Sequence, residues 1–434
     1  MKNKSADVIV IGAGAAGLMA AASASSRGLR VLLLEKNRKL GVKILISGGT
    51  RCNITHNCDS RGIVEAFGRQ GRFLHSALAA LPPEKVVSLI ESRGVETKVE
   101  DTGKIFPASD SAVDVRDAIV GLAVEHGAEI LNLNPVVSVE LKDDVYQLTT
   151  GTGNVFGAPS LIITTGGRSY PGCGTTGDGY AWTEQFGHTI VNTVPALTPV
   201  TCNEPWANEL KGITLPDTEI AVWDKSVLNP QVGGSTDVRR KKKAAPLDAR
   251  RGSFLFTHFG FSGPAALNVS RAITRRESPA GLQLQLDFQP GQRHEAVADQ
   301  IRSGCAANGK QTVSNLLAAT FPSRLADTLI QNSGIDLKTK NAELSKAQLV
   351  RLVEAIKRTQ LPVSGTLGFK KAEVTAGGVD LKEVDSRTME SKLQPRLFLA
   401  GEILDLDGPI GGFNFQSAFS TGWLAGQSVV KTSD

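Results

Sequence analysis

ADVIVIGAGAAGLMAAASASSRGLRVLLLEK, residues 6–36, constrains the fold more than any other stretch. Val8–Ile11 is a short β-branched run of the kind that forms a buried parallel strand, and Gly12, Gly14 and Gly17 follow it as GxGxxG. Leu18–Ser26 reads as an alanine-rich helix, Gly28 ends it, and Arg30–Leu34 reads as the next strand. Glu35 closes the unit about twenty residues beyond the glycines. A βαβ unit of this kind commits the chain to a parallel sheet flanked by helices.

Each part has a physical task. Gly12 permits a tight turn, Gly14 lets backbone approach a pyrophosphate, and Gly17 lets the helix pack close to the strand. Ala15 and Ala16 lie in the same turn, where the helix start offers free N–H groups and a positive dipole end. Glu35 can accept hydrogen bonds from both ribose hydroxyls, and its charge repels a 2′-phosphate, so the expected nucleotide is FAD or NAD rather than NADP.

Gly172-Cys-Gly174-Thr-Thr-Gly177 repeats the glycine spacing without the fingerprint, because TTGGRSYP separates it from the strand Leu161–Ile163 and no acid stands near residue 192. It reads as a glycine-rich loop folding over a cofactor bound elsewhere, with Asp178 at the start of the following helix. At the other end, LFLAGEILDLDGPIGGFNFQSAFSTGWL (397–424) runs strand, acidic turn, double glycine, helix. That is a second helix N-terminus suited to an anion or an electron-rich carbonyl. A cofactor clasped by both chain ends points to FAD, with this dipole near the flavin pyrimidine.

The bulk numbers agree with an ordinary globular protein. At 434 residues the chain has room for roughly two to three domains. With 41% hydrophobic and 21% charged residues, disorder is not expected. The apolar Val8–Ala22, preceded by Lys2 and Lys4, has the outline of a signal peptide, but its glycines are better explained by the nucleotide fingerprint. No other run has the ~20 apolar residues of a membrane span. The five cysteines have no framework spacing, and their odd number suits a reducing cytoplasm.

GGTRCNITHNC (48–58) gathers Cys52, His56 and Cys58, but a zinc site needs about four ligands and no fourth follows, so no metal is expected. The net charge of +5 is concentrated between Arg239 and Arg251, which hold seven basic side chains and one acid, Asp248. Such a run can contact RNA or anionic lipid. Without interleaved aromatic residues for base stacking, a solvated loop between two strands is the favoured reading and nucleic acid the disfavoured one.

GAGAAG, SGGTRCNIT, VTAGGV, TMESK and AGEILDLDGPIGGFNFQSA together resemble the bacterial NAD(P)/FAD-dependent oxidoreductases of the aminoacetone oxidase and bile-acid 3-dehydro-reductase type. KIFPASDSA (104–112) and LFTHFGFSGPA (255–265) extend the resemblance into the middle of the chain. Thr50 departs from it where glycine usually repeats, and Ser111 where lysine is common.

The resemblance implies an α/β architecture: a two-dinucleotide-binding-type, Rossmann-like FAD domain from both chain ends (1–192 and 363–434), interrupted by a β-rich subdomain (193–270) and a remainder with a small helical subdomain (271–362). Short strand patterns at Leu197–Val200, Glu219–Val222 and Phe254–Phe256, and the helical AELSKAQLVRLVEAIKR, support that layout. The resemblance also places Lys36 and Lys43 at phosphate or ribose, and runs Ser47, Gly48, Arg51, Cys52 and Asn53 beside the isoalloxazine. It sets Val137 at the adenine and Thr165 and Gly166 along the cofactor's middle. Gly401, Glu402, Gly412, Phe413 and Asn414 would cover the ribityl chain and pyrimidine edge.

The expected activity is therefore hydride transfer between a small-molecule substrate, or NADH or NADPH as donor, and bound flavin. His258 and Tyr170 are candidates for proton donation, although His258 equally suits a cap on the turn before Gly260, and no catalytic residue is assigned. Two alternatives stay open: a flavin-dependent RNA-modifying enzyme, and a non-catalytic redox sensor using Cys52 or Cys58. The oligomeric state is not legible.

Overall fold

The structure, a computed structural model, describes residues 4–228 and 245–431. Of the basic run, Arg239 to Lys243 lie outside the described residues. Arg250 and Arg251 lie in the strand Asp248–Thr257, paired with Asp248 and Asp217.

The chain forms two compact units, residues 1–195 with 372–434, and residues 196–371. In the first, β1 (Val8–Ile11) leads through Gly12 into α1 (Ala15–Ser25) and on to β2 (Val31–Leu34). β3 (Glu129–Leu131), β4 (Ser160–Ile163), β5 (Val374–Val379), β6 (Leu397–Leu399) and α2 (Phe413–Ser428) follow. Five of the strands form one parallel sheet in the order β6, β4, β1, β2, β3. Every residue of β1, β2 and β4 is buried, as expected of parallel strands covered on both faces.

α1 and α2 pack with almost no side-chain bulk between them. A Cβ on Gly422 would overlap the carbonyl of Ala16, and one on Gly426 the carbonyl of Ala20. The two helices therefore run in the same direction, with Gly422 beside Ala16 and the start of α2 lying against Thr55. β5 pairs with Ile190–Ala196, and its double glycine is equally constrained: a Cβ on Gly378 would meet the Ile403 carbonyl at 2.5 Å.

The second unit is built on an antiparallel sheet of seven strands running Thr359–Pro362, Leu282–Asp287, Thr214–Asp224, Asp248–Thr257, Gly260–Ser262, Val200–Thr201, Gly365–Thr366. Phe254, Phe256 and Phe261 form its aromatic centre, with ring centroids 5.1–5.8 Å apart. Its helices include His294–Ala307, Ser323–Asn332 and Lys346–Lys357, the last covering most of the helical pattern read in the sequence. β-rich and helical parts share one core, because strands on both sides of the helices enter the same sheet. The chain returns to the first unit at Ala372 rather than near Val363, since Gly365–Thr366 completes that sheet.

Two local expectations fail. Leu197–Val200 is not a strand: Leu197 has a φ of +52°, and only Val200–Thr201 pairs. The turn before Gly260, read as leading from strand to helix with His258 as its cap, instead joins two strands: Thr257 pairs with Gly260 and leaves His258 and Phe259 as a two-residue hairpin turn.

Candidate dinucleotide site

At the first βα turn, the glycines behave as distinct positions. Gly12 has a φ of +100°, and a Cβ there would come within 2.8 Å of the Thr164 carbonyl. Gly17 has no room at all, since its Cβ would overlap the Gly12 carbonyl. Around Gly14 a Cβ would meet nothing within 4 Å, so the turn is open on the side where a ligand would lie. No side chain caps α1, and Ala15, Ala16 and Gly17 open it with their N–H groups directed out of the helix.

Glu35 is buried behind this turn. Its Oε2 accepts from the Ala13 N–H and its Oε1 from the Asn37 N–H, both at 2.8 Å. The acid thus also fixes the shape of the glycine turn, which the sequence does not reveal. Each carboxylate oxygen retains a lone pair for a hydroxyl. Lys36 reaches Asp178 at 2.6 Å and Thr176 at 2.8 Å, while Asn37 donates to the Cys173 carbonyl at 3.0 Å. The 164–177 glycine-rich segment is thereby tied to the residues following β2. Val137, 58% exposed, stands on the edge strand Val136–Lys142, just beyond Asn134, whose N–H donates to the Glu35 carbonyl.

Lys43, Ser169, Thr375 and Glu402 form one polar network from four separate segments. Lys43 Nζ lies 2.5 Å from Glu402 Oε2 and 2.7 Å from Ser169 Oγ. Ser169 donates to Glu402 Oε1 at 2.6 Å, and Thr375 N–H donates to the same oxygen at 2.9 Å. Thr375 Oγ1 in turn accepts from the Arg168 and Ser169 N–H groups. Ser169 and Thr375 were missed by sequence reasoning, although both lie inside quoted motifs, because nothing local marks a hydroxyl as a bridge. Gly401 begins the short turn carrying Glu402 and donates to Thr421 Oγ1. Beside the network, Thr165 and Tyr180 each bury a hydroxyl that has no partner among the described residues, and Gly166 has a φ of +74°.

The 47–58 loop is fastened to the start of α2. In the amide orientation that satisfies both groups, Asn53 accepts from the Gly412 N–H at 2.9 Å and donates to the Thr55 carbonyl at 3.0 Å. Thr55 Oγ1 donates to Gln416 at 2.6 Å. His56 sits 3.1 Å from the Gly411 carbonyl and stacks on Phe413 with centroids 4.6 Å apart. The Asn414 amide closes its own loop onto Gly408 and Pro409. Gly412 has a φ of +90°, and no side chain caps α2.

The other loop residues have local partners of their own. Arg51 pairs with Glu100 at 2.6 Å and Asp110 at 3.5 Å and lies 4.0 Å over the Phe106 ring, so its charge is already engaged. Ser47 Oγ donates to the Ile44 carbonyl, and Gly48 has a φ of +55°. Cys52 is fully buried and burial pushes its thiol up to about 12, against a weaker lowering by Ser47. A neutral, enclosed thiol is a poor redox sensor. Tyr170 is half-buried at a φ of +55°, and His258 is exposed on the second unit.

The open face at Gly14, two uncapped helix starts and a Thr165 hydroxyl with no partner among the described residues fit an extended, phosphate-bearing dinucleotide.

The profile of the family described as HI0933-like protein Rossmann domain matches residues 6–428. The chain is 33% identical over 428 residues to a ribosomal RNA dihydrouridine synthase of Escherichia coli K12, covering 98% of each chain. It is 32% identical to a protein of the same name from Haemophilus influenzae, over 97% of this chain and 98% of that one. A 3-dehydro-bile acid delta(4,6)-reductase of Clostridium scindens is 29% identical, over 97% and 98%. The chain belongs to the HI0933-like Rossmann family of FAD-binding oxidoreductases.

Proposed function

We propose that this member of the HI0933-like family is an FAD-dependent reductase that saturates a carbon–carbon double bond conjugated with a carbonyl, and that its substrate is a uridine in ribosomal RNA. The full-length similarity to two ribosomal RNA dihydrouridine synthases carries this reading. The bile-acid reductase supports the same chemistry, because the C5=C6 bond of uracil and the double bonds of a 3-oxo-4,6-diene are both polarised by a carbonyl. The sequence alone favours a small-molecule substrate. The relatives favour RNA, and the basic residues from Arg239 to Arg251 suit a phosphate backbone.

Bound reduced flavin supplies a hydride to the electron-poor carbon. The protein must hold the cofactor, orient the substrate and deliver a proton. Gly12, Gly14, Ala15, Ala16 and Gly17 would bind the pyrophosphate, Glu35 the adenosine ribose, and Val137 the adenine. Thr165, Gly166, Lys36 and Lys43 would line the cofactor's middle. Ser47, Gly48, Cys52 and Asn53 would run beside the ring, with Gly401, Glu402, Gly412, Phe413 and Asn414 at its pyrimidine edge. The uncapped start of α2 would stabilise negative charge there. NADH or NADPH would reload the flavin, in the cytoplasm. No helix among the described residues is long and apolar enough to cross a membrane.

The test is nucleoside mass spectrometry of ribosomal RNA from a strain lacking the gene, paired with purified protein, NADPH and unmodified ribosomal RNA. Dihydrouridine lost in the first and formed in the second is the expected result. Unchanged dihydrouridine, with turnover of a 3-oxo-4,6-diene steroid instead, would replace the RNA substrate by a small one.

A further inference from the structure

Reduction of a conjugated double bond needs an acid as well as a hydride, and the first unit offers a carboxyl group with no hydrogen-bond or ion-pair partner among the described residues. Glu373 stands at the bend immediately before β5, two residues from Thr375. The Lys43, Ser169, Thr375 and Glu402 network reaches this bend through Ser169, whose Oγ lies 3.4 Å from the Glu373 backbone carbonyl. Among the described residues, the Glu373 carboxylate makes no hydrogen bond or ion pair. Its strand neighbours Val374 and Thr375 are buried, yet Glu373 itself is exposed.

Two cations face it, Lys43 from the helix Val42–Ile46 and Lys104 from the strand Lys104–Pro107. Lys43 is engaged by Glu402 and Ser169, whereas Lys104 makes no ion pair or hydrogen bond through its ammonium among the described residues. Despite its exposed surface, the surrounding protein desolvates Glu373 strongly enough to push its carboxyl above the ordinary value, outweighing Lys43 and Lys104. A carboxyl raised in this way keeps its proton to higher pH than an ordinary glutamate, and its exposed surface lets it exchange that proton with water.

Resting on the proposed reaction, we infer that Glu373 is its general acid. Its carboxyl proton is delivered to C5 of the uracil ring as C6 receives the hydride of the reduced flavin. The C5=C6 π pair forms the new C5–H bond, the Glu373 carboxylate is left behind, and water reprotonates it. The two electrons come from the flavin, which NADH or NADPH has reduced.

The test uses the full-length, flavin-loaded protein and its Glu373→Gln and Glu373→Asp variants. Flavin absorbance and anaerobic flavin reduction by NADPH should be unchanged in both. Reoxidation by in-vitro-transcribed, hence unmodified, ribosomal RNA should fall by about 10²-fold or more in Glu373→Gln. In the wild type that rate should decline as pH rises through the carboxyl's titration. Glu373→Asp should keep partial activity with a displaced pH profile, and Glu373→Gln should lose that limb. Carboxyl ¹³C NMR of the flavin-free protein should show one glutamate titrating above the ordinary range, missing from Glu373→Gln. A Glu373→Gln enzyme with wild-type rate and pH profile, or an NMR spectrum without such a glutamate, overturns the assignment. A wild type that neither ribosomal RNA nor a 3-oxo-4,6-diene steroid reoxidises refutes the reaction itself, and the assignment with it.

Discussion

Thr50 has a φ of +70°, a region that costs a side-chain-bearing residue about 1–2 kcal/mol. The repeated glycine usual in similar sequences at this point is thereby explained. Replacing Thr50 by glycine removes that strain while adding roughly 0.5–1 kcal/mol of chain entropy to the unfolded state. Thr50→Gly should therefore gain about 0.5–1 kcal/mol in urea unfolding; a destabilised variant would mean that the Thr50 hydroxyl, bonded to the Gly49 carbonyl, outweighs the strain. Cys52, also at positive φ, is buried and neutral. Its thiol should resist a thiol reagent at pH 8 in the native protein, and Cys52→Ser should leave flavin reduction unchanged; rapid labelling would revive a redox role.

At the scale of elements, the two glycine-lined helices carry the site. Because Gly422 and Gly426 lie against the backbone of α1, Gly422→Leu should separate α1 from α2 at a cost of about 3 kcal/mol or more, visible as a lowered Tm and lost flavin. The start of α2 depends equally on the 47–58 loop. Asn53→Ala removes the acceptor of the Gly412 N–H, leaving a donor that costs about 1–3 kcal/mol if it stays buried and unpaired. Weaker flavin binding in a folded Asn53→Ala protein is the expected outcome, measured by titrating the apoprotein with FAD. Unaltered affinity would show that α2 keeps its start without this clamp.

For the whole molecule, one buried polar cluster should dominate the response to acid. His188 is enclosed, with Nδ1 3.2 Å from Glu383 and Nε2 2.7 Å from Ser391 of the TMESK motif. Ser391 Oγ also accepts from the Leu393 and Gln394 N–H groups, so it is a fastening and not an exposed nucleophile. Burial holds the imidazole below its ordinary value of 6.5, despite the raising effect of Glu383. The unfolded state therefore binds the proton first, and the stability contributed above 6.5 is lost as pH falls below it toward the folded value. Glu383 acts with the same sign at lower pH: burial raises its carboxyl, but bonds from Thr189 and His188 bring it below 4.5 overall. The slope of unfolding free energy below pH 6.5 should flatten in His188→Gln; an unaltered slope would place the acid sensitivity elsewhere.

Much of the nucleotide-binding frame was legible in the sequence because its determinants are local. β1, the glycine turn, α1 and Glu35 fall within one short segment, and the double glycine before α2 marks a helix start through backbone conformation alone. Burial of whole strands and the spacing of glycines leave a direct trace in residue order. The polar network does not. Lys43, Ser169, Thr375 and Glu402 meet only after the parallel sheet has placed β4 and β6 beside the first βα unit and β5 has paired with Ile190–Ala196, and hydrogen bonds across such separations have no sequence period. The same tertiary assembly turned Arg51 toward Glu100, enclosed the Cys52 thiol, and left the Glu373 carboxylate without a partner among the described residues. Sequence determined where a dinucleotide could lie, through backbone geometry; tertiary structure decided which side chains remain free for chemistry, because that depends on every neighbour they meet.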